Sequence, residues 1–122
     1  MTQILQLRAA SDAIALECVG VVGDAYLDPE GLIRSAMGRN SHVALDRVGR
    51  HLRGFLFFSI DDEILLRGRR HRIPYLGLIA VHPEHRNRGV ASKLLERFRA
   101  YVRLNIGNAT HTWAITATPA FY

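Results

Sequence analysis

The sequence predicts a mixed α/β domain, and three observations point there. Gly54-Phe55-Leu56-Phe57-Phe58-Ser59-Ile60 is too continuously apolar for a sheet with one wet face, so it fits a strand covered on both sides. Tyr75-Leu76-Gly77-Leu78-Ile79-Ala80-Val81 is a second such run. After it, Ala91, Leu94, Leu95, Phe98 and Val102 recur at spacings of three and four, the signature of a helix with one apolar face.

The elements follow in order. Ile4-Leu5-Gln6-Leu7 can form a short first strand. Ser11 offers an N-cap, and Ala13, Ile14, Leu16, Glu17, Val21 and Val22 continue as a mostly apolar helix. Asp28-Pro29-Glu30 starts a second helix, with a capping carboxylate, proline at the first helical position and an acid in the first turn. That helix is expected to run to Met37 and stop at Gly38. His42-Val43-Ala44-Leu45-Asp46-Arg47 alternates loosely as a strand, and Gly49-Arg50 makes a turn. The apolar strand over 52–60 comes next. Asp61-Asp62-Glu63 and Arg67-Gly68-Arg69-Arg70 break the pattern and predict a long hairpin connection before the strand at 75–81. The long helix follows, and Thr112-Trp113-Ala114-Ile115-Thr116 is the last strand. The order is strand, two helices, three strands, helix, strand.

Composition bounds the function. At 122 residues, 48% hydrophobic and 22% charged, the chain is sized for one domain over residues 1–122. No apolar run is long enough to cross a bilayer, and residues 1–8 lack the pattern of a secretory leader, so a cytoplasmic protein with no membrane partner is expected. The single cysteine, Cys18, excludes an internal disulfide and reads as a core residue on an apolar helix. The formal charge of +5 is carried by arginine, Lys93 being the only lysine. Arginine suits bidentate phosphate contacts, so the balance fits a nucleotide cofactor, nucleic acid or an acidic partner.

The chemistry concentrates between the second apolar strand and the long helix, in His82-Pro83-Glu84-His85-Arg86-Asn87-Arg88-Gly89-Val90-Ala91-Ser92. A helix that begins this way presents unpaired backbone N–H groups and the positive end of its dipole, which suits a diphosphate. Gly89 allows close backbone approach, small Ala91 keeps it open, and Arg86 and Arg88 add charge.

Arg86-Asn87-Arg88-Gly89-Val90-Ala91 resembles the signature of the GNAT superfamily of N-acetyltransferases: glutamine or arginine, two variable residues, glycine, one variable residue, then glycine or alanine. Leu78-Ile79-Ala80-Val81-His82-Pro83 resembles the strand and proline that lead into it, and Leu94-Leu95 the apolar helix that follows. The resemblance implies a GNAT-like fold, a central mixed, mostly antiparallel sheet flanked by helices. It implies acetyl-CoA as acetyl donor, with the diphosphate on the N–H groups around Arg86, Asn87, Arg88, Gly89, Val90, Ala91 and Ser92. The pantetheine arm would pair, strand-like, with the backbone of Leu78, Ile79, Ala80 and Val81. It further implies direct transfer to a primary amine in a ternary complex, with a small-molecule or peptide amine as acceptor.

Such a transfer has three needs. A lysine-like ammonium, pKa ~10.4, must lose a proton. The developing oxyanion needs a donor, expected at a backbone N–H around Ile79 to Val81. A thiol of pKa about 8.5 leaves better with an acid nearby. By resemblance that acid is Tyr122, on a helix opened by Thr118 as N-cap and Pro119 at the first helical position; a frayed terminal aromatic is the competing reading. The family fold continues through this helix into two more strands, so the chain reads as a domain short at its C-terminus. Its sheet is either truncated or completed by a partner, for example a homodimer. Asp61, Asp62 and Glu63 read as a solvated turn or as a magnet for a cationic amine.

His82 and His85 flank Glu84, but no third ligand stands at motif spacing, so no metal is expected. Arg67, Arg69, Arg70, His71 and Arg72 form the densest basic run; without interleaved aromatics it reads first as a solvated hairpin, and the sharper alternative is contact with nucleic acid or an acidic protein surface. Phe55, Phe57, Phe58 and Trp113 read as core, and Tyr26 and Tyr75 as packing or cavity lining. Two further functions stay open beside the acetyltransferase: a non-catalytic acyl-CoA-binding module, and a basic nucleic-acid-binding protein.

Overall fold

The computed structural model describes residues 2–7 and 12–106, and the backbone of 113–114. The elements run β1 (Thr2–Gln6), α1 (Asp12–Val22), α2 (Pro29–Arg39), β2 (His42–Val48), β3 (His51–Leu66), β4 (Arg69–Val81), α3 (Val90–Ile106) and β5 (Trp113–Ala114), in the order expected. The sheet order is β1-β2-β3-β4-β5. The first four strands are antiparallel neighbours. β5 runs parallel to β4, with Tyr75 opposite Trp113 and Leu76 opposite Ala114.

β3 is the spine. Residues 55–58 of it are fully buried because their alternating side chains enter two different cores. Phe55 and Phe57 pack with Ala15, Cys18, Val22 and Ile33 of α1 and α2. Leu56 and Phe58 pack with Val90, Leu94, Phe98 and Val102 of α3. The continuous apolar run is thus a strand covered on both faces, as the pattern predicts.

Three local expectations need correction. Gly38 does not stop α2: the helix runs to Arg39 and ends at Asn40, whose backbone N–H and side-chain Nδ2 both donate to the Ala36 carbonyl, at 3.0 and 2.8 Å. The Asp28 cap is as expected, its carboxylate accepting the Gly31 N–H at 3.0 Å.

Nor do the acids at 61–63 interrupt the sheet. β3 continues to Leu66, with Glu63 opposite Arg72, and the connection shrinks to Arg67-Gly68. Both turn residues have positive φ (51° and 76°), the type I′ geometry that matches strand twist. Opposite charges across the pair offset the polarity of this arm, which is exposed. The basic run is accordingly a solvated hairpin end.

The strand at 75–81 is not wholly buried: Leu76 is, but residues 77–81 are half-exposed. Ser11 lies outside the described residues. Among the described residues no helix is long and apolar enough to cross a membrane.

Candidate active site

β4 carries the irregular feature that defines the site. Phe57 pairs with Leu78 and Phe58 with Leu76, so Gly77 is an extra residue on β4, a β-bulge. Bulges leave backbone groups outside the ladder and re-aim them. A Cβ at Gly77 would lie 2.5 Å from Asn40 Nδ2 and 2.6 Å from Oδ1, so a side chain here would displace the Asn40 amide. Asn40 is buried, and its Oδ1 has no hydrogen-bond partner among the described residues. The end of α2 thus clamps the bulge.

Beyond the bulge, Leu78, Ile79, Ala80 and Val81 pair with Phe57, Leu56, Phe55 and Gly54 of β3. Leu78 and Ala80 pack toward the α1–α2 core, and Ile79 and Val81 toward the α3 core. With both sets of side chains directed into cores, the edge of the strand opposite β3 is backbone. Among the described residues β5 pairs with β4 only at Tyr75 and Leu76. A strand edge of this kind offers N–H and C=O groups to an extended ligand.

The strand then leads into a shaped loop. His82 donates its N–H to the Arg53 carbonyl at 2.6 Å, and its Nδ1 accepts the Glu84 N–H at 3.1 Å, capping a 3-10 turn over Pro83–His85. Asn87 and Gly89 both have positive φ (63° and 77°). The first helical bond runs from the Lys93 N–H to the Gly89 carbonyl at 3.0 Å, which leaves the N–H groups of Val90, Ala91 and Ser92 without an intrahelical acceptor. No atom of the described residues beyond its chain neighbours lies within 4 Å of the place a Gly89 Cβ would take. Arg86 and Arg88 are exposed at the mouth, and Arg86 Nε reaches the Val81 carbonyl at 3.5 Å. Val90 is buried and anchors the helix start, while Ser92 is exposed. The sequence-predicted residues from Leu78 to Ser92 therefore form one continuous strip: a backbone edge, then an arginine-flanked helix N-terminus.

Other expectations sort cleanly. Cys18 is fully buried, and its thiol is pushed up to about 12, first by burial and then by Glu17, with Arg47 opposing; it is not a nucleophile. Asp61, Asp62 and Glu63 are exposed on the hairpin arm. Tyr122, Thr118 and Pro119 lie outside the described residues, as does the side chain of Trp113. The bulge at Gly77 was within reach of the sequence, since a glycine inside a strand pattern marks bulges and close approaches. The Asn40 clamp had no such signal.

A bulged strand running into a positively dipolar helix start on a mixed sheet fits an acetyltransferase domain of the GNAT type. The chain belongs to this family: the profile of the acetyltransferase (GNAT) domain matches residues 56–122. Solved structures share the fold. A ribosomal-protein-alanine N-acetyltransferase from Brucella melitensis biovar Abortus 2308 aligns with a TM-score of 0.68 at 19% identity, over 99% of this chain and 84% of its own. A GNAT family acetyltransferase from Brucella melitensis in complex with acetyl-CoA aligns at 0.64 and 16% identity, over 99% and 81%. An aminoglycoside N-acetyltransferase in complex with CoA aligns at 0.66 and 15% identity, over 98% and 79%. No curated protein matches the chain in sequence.

Proposed function

We propose that the chain transfers an acetyl group from acetyl-CoA to a primary amine by direct attack within a ternary complex. The observation that carries this reading is the helix start at Gly89: positive φ, open space above it, free N–H groups behind it and two exposed arginines beside it. That combination fits a diphosphate. The structural neighbours that hold CoA or acetyl-CoA support the same ligand.

When bound, acetyl-CoA supplies an acyl group activated as a thioester. The N–H groups of Val90, Ala91 and Ser92 would receive the diphosphate, with Arg86 and Arg88 neutralising it. The backbone of residues 78–81 would hold the pantetheine arm by strand-like pairing. The Gly77 bulge, rather than the regularly paired residues 79–81, turns a backbone N–H toward the place where negative charge develops on the acyl oxygen. Tyr122 remains the proposed acid for the departing thiol.

Acceptors of the neighbours, an aminoglycoside and a ribosomal protein's alanine by their names, frame the substrate class as small-molecule or peptide amines. Calorimetry with acetyl-CoA tests the site. The native chain is expected to bind saturably, and Gly89→Glu to lose about a hundredfold or more, since a carboxylate there meets the diphosphate and φ is unfavourable. Thiol release with a panel of aminoglycosides, polyamines and peptide amines then identifies the acceptor. Failure of a folded native chain to bind acetyl-CoA overturns the reading.

A further inference from the structure

The β2–β3 turn and the β4–α3 loop meet at three imidazoles. His51 is the first residue of β3, and His82 and His85 bracket the 3-10 turn. One ligand-competent atom from each lies within 4.8 Å of those of the other two. The ring centroids of His51 lie 5.2 Å from those of His82 and 4.9 Å from those of His85. His51 Nε2 and His85 Nε2 are 2.9 Å apart, a hydrogen bond that requires one ring to offer a lone pair. Two nitrogens bound to one tetrahedral metal at about 2.05 Å stand roughly 3.3 Å apart. The pair therefore needs to open by only a few tenths of an ångström to admit an ion.

We propose that His51, His82 and His85 form a binding site for a divalent transition metal ion of the zinc, nickel or copper class, with at least one position open to water. An all-imidazole donor set suits these ions and not calcium or magnesium, which take oxygen. His82 is the weakest ligand, because its Nδ1 already accepts the Glu84 N–H and that bond is exchanged or the ring re-tautomerised on ligation. Arg53 and Arg88, the cations nearest His85, oppose a bound ion and hold the affinity below that of a structural zinc site. Sequence alone showed only His82 and His85; the third imidazole comes from a turn that the β3–β4 pairing brings alongside. The site does not depend on the acetyltransferase reading, but a bound ion would tie the β2–β3 turn to the loop that leads into Gly89.

The test is a titration of the chain, free of added histidines, with Zn²⁺ by calorimetry and with Co²⁺ by visible absorption, at about pH 7.5, where histidine is mostly neutral. One ion per chain is expected, with a cobalt ligand-field band and a raised melting temperature. His51→Ala and His85→Gln should each weaken binding about tenfold or more, and His82→Ala by less. His71→Ala, on the exposed hairpin arm, should change nothing. Absence of saturable binding by the native chain overturns the proposal. So does binding that survives His51→Ala and His85→Gln, or that falls equally with His71→Ala, since either marks general surface histidine binding.

Discussion

Arg53 shows how one residue links the core to the site. Its Nη2 reaches both carboxylate oxygens of Asp46, at 3.1 and 3.0 Å, and Asp46 is 1% exposed. The Arg53 carbonyl in turn receives the His82 N–H, where β4 gives way to the loop before α3. Removing one partner of a largely buried pair strands the other charge, and here Arg53 keeps some solvent, so the cost falls below the fully buried case. Asp46→Ala is expected to destabilise by about 2–3 kcal/mol in chemical denaturation and to weaken acetyl-CoA binding as the loop loosens. A loss below about 0.5 kcal/mol, the scale of exposed pairs, would show that the pair carries no such weight.

At the level of elements, the decisive fit is between α3 and the sheet. A Cβ at Gly54 would stand 2.9 Å from Val90 Cγ1, 3.0 Å from the Ala80 carbonyl oxygen and 3.2 Å from Leu94 Cδ1. The absence of a side chain there lets the first turn of α3 sit against β3 and β4 and aims its N-terminus at the strand edge. Gly54→Ala must push the helix start outward, and overpacking of this kind costs about 1–3 kcal/mol. The expected outcome is a lower denaturation midpoint together with weaker acetyl-CoA binding. Gly38→Ala, inside exposed helix with nothing near its Cβ, should instead leave binding unchanged and stabilise by up to about 1 kcal/mol. Equal effects from the two substitutions would contradict the packing argument.

Across the whole molecule, β3 is shared by two cores that lie on opposite faces of one sheet. Phe57 is the side chain it lends to the α1–α2 side and Phe58 the one it lends to the α3 side. Truncating a buried phenylalanine costs about 3–5 kcal/mol, a large fraction of the 5–15 kcal/mol typical of a domain. Phe57→Ala and Phe58→Ala should each lower Tm by about 10–20 °C while keeping a single transition, because the strand couples both faces. Two resolved transitions in scanning calorimetry, one shifted and one not, would mean that the cores melt independently.

The residues settle more of this protein than their order suggests, and the reasons are local. Periodicity of two and of three-to-four marks strands and helices directly, so the element order and the apolar spine at 55–58 were readable. The Asp28 cap and the start of α3 after Gly89 were readable too, because capping and helix-start chemistry lie within a few consecutive residues. Where propensity and pairing compete, the chain alone misleads. Gly38 is helical because Asn40 supplies a later cap, and the acids at 61–63 stay in β3 because Arg72 lies opposite Glu63 and reaches the Asp61 carboxylate. What only the tertiary structure decided is every relation between distant segments: the Asn40 clamp on the Gly77 bulge, the Gly54 seat for α3, and His51 beside His82 and His85. Each depends on strand register, which is set by long-range burial on both faces of the sheet and leaves no mark at any single position.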